Sequence, residues 1–346
     1  MEDEVSLPNM KRIQIAAWAV ALCAMVALGP SISSAADPPA DVSGLIQIAQ
    51  QQFDSGNYWI AIKTLQSAVS RNSLSAEAYF WQARSYFEIR DFDNAIAQAE
   101  RAVALDVKNS VYHQWLGRAY GGKADRDRSF FAARKVKKEL AEAVRLNPSN
   151  IDARLDLEDF CLNAPWIVGG SKEEAKEQVA AIAALDPVEG HVARAKFALD
   201  GLNRSDLAET EFRQVLSAKP KNIEPYFEVI AFFQNQNKAR DMQSAIDDAA
   251  QISAHDPRLS YFRGAALALS GDDLAQAEEY LKSYLARSPE RSDWPSHAAA
   301  REWLGRVYES EGKRAEAAEQ YRTSLQLEPG RKGVQLRLER LEKASS

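Results

Sequence analysis

Cysteine is almost missing from these 346 residues: only Cys23 and Cys161 occur. Cys23 falls in an N-terminal apolar run that reads as removable, which leaves Cys161 alone in the mature chain. An intramolecular disulfide is then excluded, and stability must come from packing. Glycine (16) and proline (13) are sparse, while alanine, leucine, glutamate and arginine recur throughout. That balance favours helix over sheet and predicts an all-α fold. Positive charge is not in excess either. A formal net charge of -6 gives no long-range attraction to nucleic acid or to an anionic membrane surface, so neither is expected as a partner. The four histidines, His113, His191, His255 and His297, lie far apart and form no HxxxH or HExxH pattern. No metal site or cofactor is expected from them. Cys161 has no base identifiable in the sequence that a nucleophile would need, and reads as a small buried thiol. Enzymatic activity is not expected.

Long apolar runs are lacking too, save one. Lys11-Arg12 precede an apolar stretch from Ile13 to Leu28, followed by Gly29-Pro30 and the small-residue segment Ser31 to Ala36. These are the three regions of a secretory signal peptide, covering residues 1–36 with cleavage after Ala36. Met1 to Glu4 is acidic where such a signal is basic, so translation is expected to begin at Met10. Residues 37–41 would open the mature chain without structure. The expectation is therefore an exported protein, periplasmic or secreted, of a bacterial envelope. No stable membrane span would remain after cleavage. The alternative is an inner-membrane anchor made by an uncleaved signal, because the run approaches spanning length. A lipoprotein at Cys23 is disfavoured by Leu22, which stands where a small residue is wanted.

What the chain does have is a 34-residue period. In residues 76–109 a first helix carries Tyr79, Ala83 and Tyr86, Asp91-Phe92 makes a turn, and a second helix carries Ala95, Ala99 and Ala102. Spacings of three and four put each set on one helical face, and the small residues allow close helix approach. This pattern resembles the tetratricopeptide repeat (TPR) family. The resemblance implies an α-solenoid, a right-handed superhelix, over 42–331, in units 42–75, 76–109, 110–150, 151–188, 189–222, 223–256, 257–291 and 298–331. Residues 332–346 would form a capping helix and tail.

Two insertions break the period, within 121–131 and 164–170. Both are expected at inter-helix turns on one rim, packed on each other, which would account for Phe130, Phe131 and Trp166. A polar hinge, Glu290 to Pro295, is expected between the seventh and eighth units. Gly169-Gly170-Ser171-Lys172 lacks the upstream glycine and strand of a phosphate-binding loop. Ser171 with Glu174 reads instead as a capping box. The basic residues between Arg126 and Lys138 are interleaved with acids and read as a solvated face.

In TPR proteins the first helix of each unit lines a concave groove. Carried onto the matching positions, the resemblance implies a partner-binding groove of Glu77, Phe80, Arg84, Phe87, Gln114, Arg118, Glu302 and Arg306. Aromatics beside arginines suit an interface. The implied function is a non-enzymatic scaffold or adaptor that binds a peptide or partner protein in the cell envelope. The alternative is binding of a polysaccharide, peptidoglycan fragment or small ligand under the inserted loops. The sequence leaves open a homo-oligomer formed through the C-terminal helix.

Overall fold

The computed structural model describes residues 41–343, and among them there are seventeen α-helices and no strand. In chain order these are α1 (Val42–Asp54), α2 (Tyr58–Arg71), α3 (Ala76–Glu88), α4 (Phe92–Leu105), α5 (Ser110–Asp127) and α6 (Phe130–Leu146). Next come α7 (Ile151–Asn163), α8 (Lys172–Leu185), α9 (Pro187–Lys196), α10 (Ser205–Ala218), α11 (Glu224–Asn235) and α12 (Ala239–Ile252). The last are α13 (Pro257–Ser270), α14 (Leu274–Arg287), α15 (His297–Ser310), α16 (Arg314–Leu327) and α17 (Lys332–Lys343). The first sixteen pack pairwise as helix-turn-helix units, and first helices such as α3, α5 and α7 lie side by side. The signal-peptide reading of residues 1–36 lies outside the described residues. No described helix is long and apolar enough to cross a membrane.

Local chemistry starts many of the helices. Ser75 accepts a hydrogen bond from the Ala78 amide, Asn109 from Val111 and Tyr112, and Asn150 from Ala153, each satisfying a free first-turn donor. Small residues then set the inter-helix distance. Ala61, Ala95, Ala245, Ala277 and Ala317 are fully buried. At Gly117 a Cβ would sit 2.8 Å from Leu140 Cδ2, so α5 and α6 touch through glycine.

Three expectations need correction. The 121–131 insertion is not a loop. It lengthens α5 to 18 residues and α6 to 17, with a tight turn at Arg128-Ser129 in which Arg128 has φ 52. Gly121 and Gly122 looked like loop residues but are helical, because Phe92 packs where a Gly122 Cβ would stand. Asp186-Pro187, read as closing the unit 151–188, instead opens α9: Asp186 caps Val188 and Glu189 while Pro187 takes the first helical position, where its missing N–H is no loss. Finally, the Glu290–Pro295 segment is no free hinge. Tyr58 Oη donates to the Glu290 carbonyl at 2.8 Å, and Glu88 accepts from the Ser292 amide at 2.8 Å and from its hydroxyl at 3.0 Å. At Gly56 a Cβ would come 2.5 Å from Pro289 Cβ. The segment is a strap fastened to the first three described helices and the turn at Gly56.

Candidate functional site

Five of the eight expected groove residues come together around Trp115. Phe80 and Phe87 point their rings at it edge-on, at 6.3 and 5.7 Å between centroids. Arg84, one turn along from Phe80 on α3, lays its guanidinium between three rings, 4.5 Å from Trp81, 4.5 Å from Trp115 and 4.8 Å from Phe53. Such stacking partly replaces the lost hydration of the cation. Yet Arg84 Nε is buried without a hydrogen-bond partner, and the side chain makes no ion pair among the described residues. Burial, reinforced by the nearby charge of Arg291, lowers its pKa from the ordinary arginine value.

Gln114 and Arg118 on α5 converge from the other side on Asp156 of α7. Arg118 donates through Nε and a terminal nitrogen at 2.7 and 3.0 Å, and Gln114 donates to the same carboxylate at 2.8 Å. Burial works against the Arg118 charge, but Asp156 outweighs it and its pKa stays above the ordinary value. Arg118 is therefore committed to Asp156, whereas Arg84 is not committed to any acid. Phe80, Arg84, Gln114, Trp115 and Arg118 line an open cleft of about 530 Å³, continued by Asn147 and Asp152.

The remaining expected residues lie elsewhere. Glu77 is an exposed first-turn residue of α3. Glu302 on α15 accepts from Arg331 at 3.1 Å, and Arg306 stacks 3.9 Å from the Trp303 ring. Trp81, Phe53 and Asp156 were missed from the sequence. Trp81 could have been found, since it lies three residues before Arg84 and shares its helical face.

Other titratable groups have packing roles. His113 Nδ1 lies 2.7 Å from Glu139 Oε2, and its Nε2 lies 3.2 Å from the Val107 carbonyl. Cys161 is buried, which pushes its thiol up to about 11 and away from reactivity. Ser171 caps Glu174 N as expected, but the Glu174 carboxylate bonds Lys137 at 2.6 Å rather than completing the box. Gly169, at φ 111, supplies the left-handed turn before it.

Helix-turn-helix pairs in tandem, touching through alanine and glycine, define a helical-repeat solenoid. The family model described as tetratricopeptide repeat matches two stretches of the chain, residues 46–109 and 265–332. Domains of this kind are typically protein- or peptide-binding scaffolds and typically non-catalytic. Similar solved structures include a tetratricopeptide repeat protein from Parabacteroides merdae ATCC 43184, with 15% identity over 77% of this chain and 98% of that one, at a TM-score of 0.49. The MamA protein is 18% identical over 51% and 90%, at 0.39. YrrB, described as a TPR protein with an unusual peptide-binding site, is 16% identical over 67% and 92%, at 0.35. No curated protein matches the chain.

Proposed function

We propose that the chain is a peptide-binding scaffold of the cell envelope that holds an extended segment of a partner protein across α3, α5 and α7, with a carboxylate of that segment on Arg84. The observation that carries this reading is the unpaired Arg84 guanidinium, fixed by three rings beside an open cleft. A fixed planar cation with free donors suits a carboxylate, and little side-chain entropy remains to be lost on binding. The strap supports the same reading. Tyr58 and Glu88 already hold a non-helical segment through the Glu290 carbonyl and through the Ser292 amide and hydroxyl. Export is supported by Lys11-Arg12, the Ile13–Leu28 run and the small residues up to Ala36.

Fluorescence anisotropy with a library of acidic and amidated control peptides tests the site. The expected result is saturable binding of acidic members that Arg84→Gln weakens about tenfold, the scale of one charge-assisted contact. Equal binding by Arg84→Gln would remove the cleft from consideration. N-terminal sequencing of the protein from fractionated cells tests export, with Asp37 the expected first residue.

A further inference from the structure

Residues of both insertions line a cleft of about 760 Å³, within the size range of small-molecule sites, but Phe131 and Trp166 stay 80% and 84% exposed and do not pack on each other as the sequence led one to expect. Its floor is apolar: Val136 and Leu140 of α6, Phe160 of α7 and Val168 of the second insertion. Its mouth is polar and mostly acidic. Asp125 carries no partner among the described residues, and Asp159 accepts only from the Asn163 amide of its own helix, at 2.9 Å. Arg118 also lines the cleft, but Asp156 holds it. Arg128 is the one remaining cation among the described lining residues. Two helices, α5 and α7, end at this mouth and present the negative ends of their dipoles, whereas only α6 begins there.

Gly121 adds an independent observation. It lies inside α5, where glycine costs about 1 kcal/mol relative to alanine. Gly122 beside it is accounted for by Phe92. At Gly121 a Cβ would meet nothing within 4 Å, and the residue lines the cleft. No neighbour requires this glycine, and its lack of a side chain leaves the cleft open.

We propose that the cleft between the insertions binds a small amphiphile with an apolar body and a cationic head, the body lying on Val136, Leu140, Phe160 and Val168 and the head facing Asp159 and Asp125. This site does not depend on the peptide reading. Arg84 is not among its lining residues, and the two can succeed or fail separately.

The test is isothermal titration of the full chain with three probes below any micellar concentration: decyltrimethylammonium, decanoate with the opposite head, and tetramethylammonium with no tail. Decyltrimethylammonium is expected to bind one site at least about tenfold tighter than either of the others. Gly121→Leu starts from a Cβ position with nothing within 4 Å and projects into the cleft, and is expected to weaken that binding about tenfold or more with the fold intact by circular dichroism. Uptake by the N-terminal apolar run is common to both proteins, so the difference between them isolates the cleft. Asp159→Asn is expected to narrow the preference for the cationic over the anionic probe about threefold, the scale of one partly exposed charge. The proposal is overturned if no probe binds saturably, if Gly121→Leu binds as the wild type does, or if decanoate equals decyltrimethylammonium.

Discussion

Tyr58 and Glu290 stand 232 positions apart, yet the tyrosine hydroxyl donates to the glutamate carbonyl at 2.8 Å. Glu88 accepts from Ser292 beside it, and the Phe53 ring lies 5.6 Å from the Arg291 guanidinium. The strap is thus fastened by backbone and side-chain contacts to α1, α2 and α3. Removing the hydroxyl in Tyr58→Phe should lower unfolding free energy by about 1–2 kcal/mol, since the carbonyl it leaves is partly buried. Chemical denaturation measures the loss. Hydrogen exchange should also quicken in α1 and α2, and unchanged protection there would mean the strap contributes nothing to holding them.

Gly121 and Gly122 are adjacent in one helix and should respond to alanine with opposite signs. Gly121→Ala enters open space and gains helix propensity, so it should stabilise by about 0.5–1 kcal/mol. Gly122→Ala drives its methyl into Phe92 and should destabilise by about 1–3 kcal/mol. Melting curves of the two variants side by side decide it, and a shift of the same sign in both would contradict the packing described.

Glu158 is 1% exposed, and one of its carboxylate oxygens has no hydrogen-bond partner among the described residues. Burial pushes its pKa to about 8; Asp159 and Asp200 act in the same direction and the Lys196 charge opposes them. In the unfolded chain the same group titrates near its ordinary value of about 4.3. Between those two pH values the unfolded chain has released a proton that the folded chain keeps, so stability falls as pH rises and levels off above about 8. Glu158→Gln removes this slope. The variant should match wild type near pH 4 and exceed it by roughly 2–4 kcal/mol at pH 9, as read from denaturation curves across that range.

Helix α17 covers the end of the array with Val334, 1% exposed, and Leu341. It also holds Arg337 at 3.0 Å from Glu309. Truncation before Val334 should uncover the α15–α16 pair, lower the melting temperature and raise light scattering on heating. A truncated chain that scatters no more than the full one would deny α17 a protective role.

The helix pairs were legible because a helix face is written locally: Tyr79, Ala83 and Tyr86 in one helix and Ala95, Ala99 and Ala102 in the next, spaced by four and three residues, suffice to mark which sides must meet. Phe80, Arg84 and Phe87 of α3 stand at the positions that the tetratricopeptide resemblance implies for a groove, and of these Phe80 and Arg84 line the cleft. What they do there was not legible. The commitment of Arg118 to Asp156 joins residues 38 positions apart, and no periodic rule connects them. Gly121-Gly122 was misread because the intrinsic preference of two glycines is for a turn, while the packing of Phe92 that overrides it comes from an earlier helix pair. The strap was misread as a hinge for a still longer-range reason, since Pro289 to Pro295 has the polar, proline-flanked composition of a linker and its partners lie in α1, α2 and α3.

An ordinary tandem array is a line: each unit feels only its neighbours, its stability is close to a sum of adjacent terms, and its ends fray first. The strap adds a bond between distant sites on that line, and so turns it into a loop. If one internal interface opens, the two flanking pieces are still joined the other way round, through Tyr58, Glu88 and Ser292. The first helix pair is then no longer a free end, and opening anywhere between it and α15 must either stay small or release the strap as well. Such a chain should melt more nearly as one body than an open array of the same length, with the strap as the element that synchronises it.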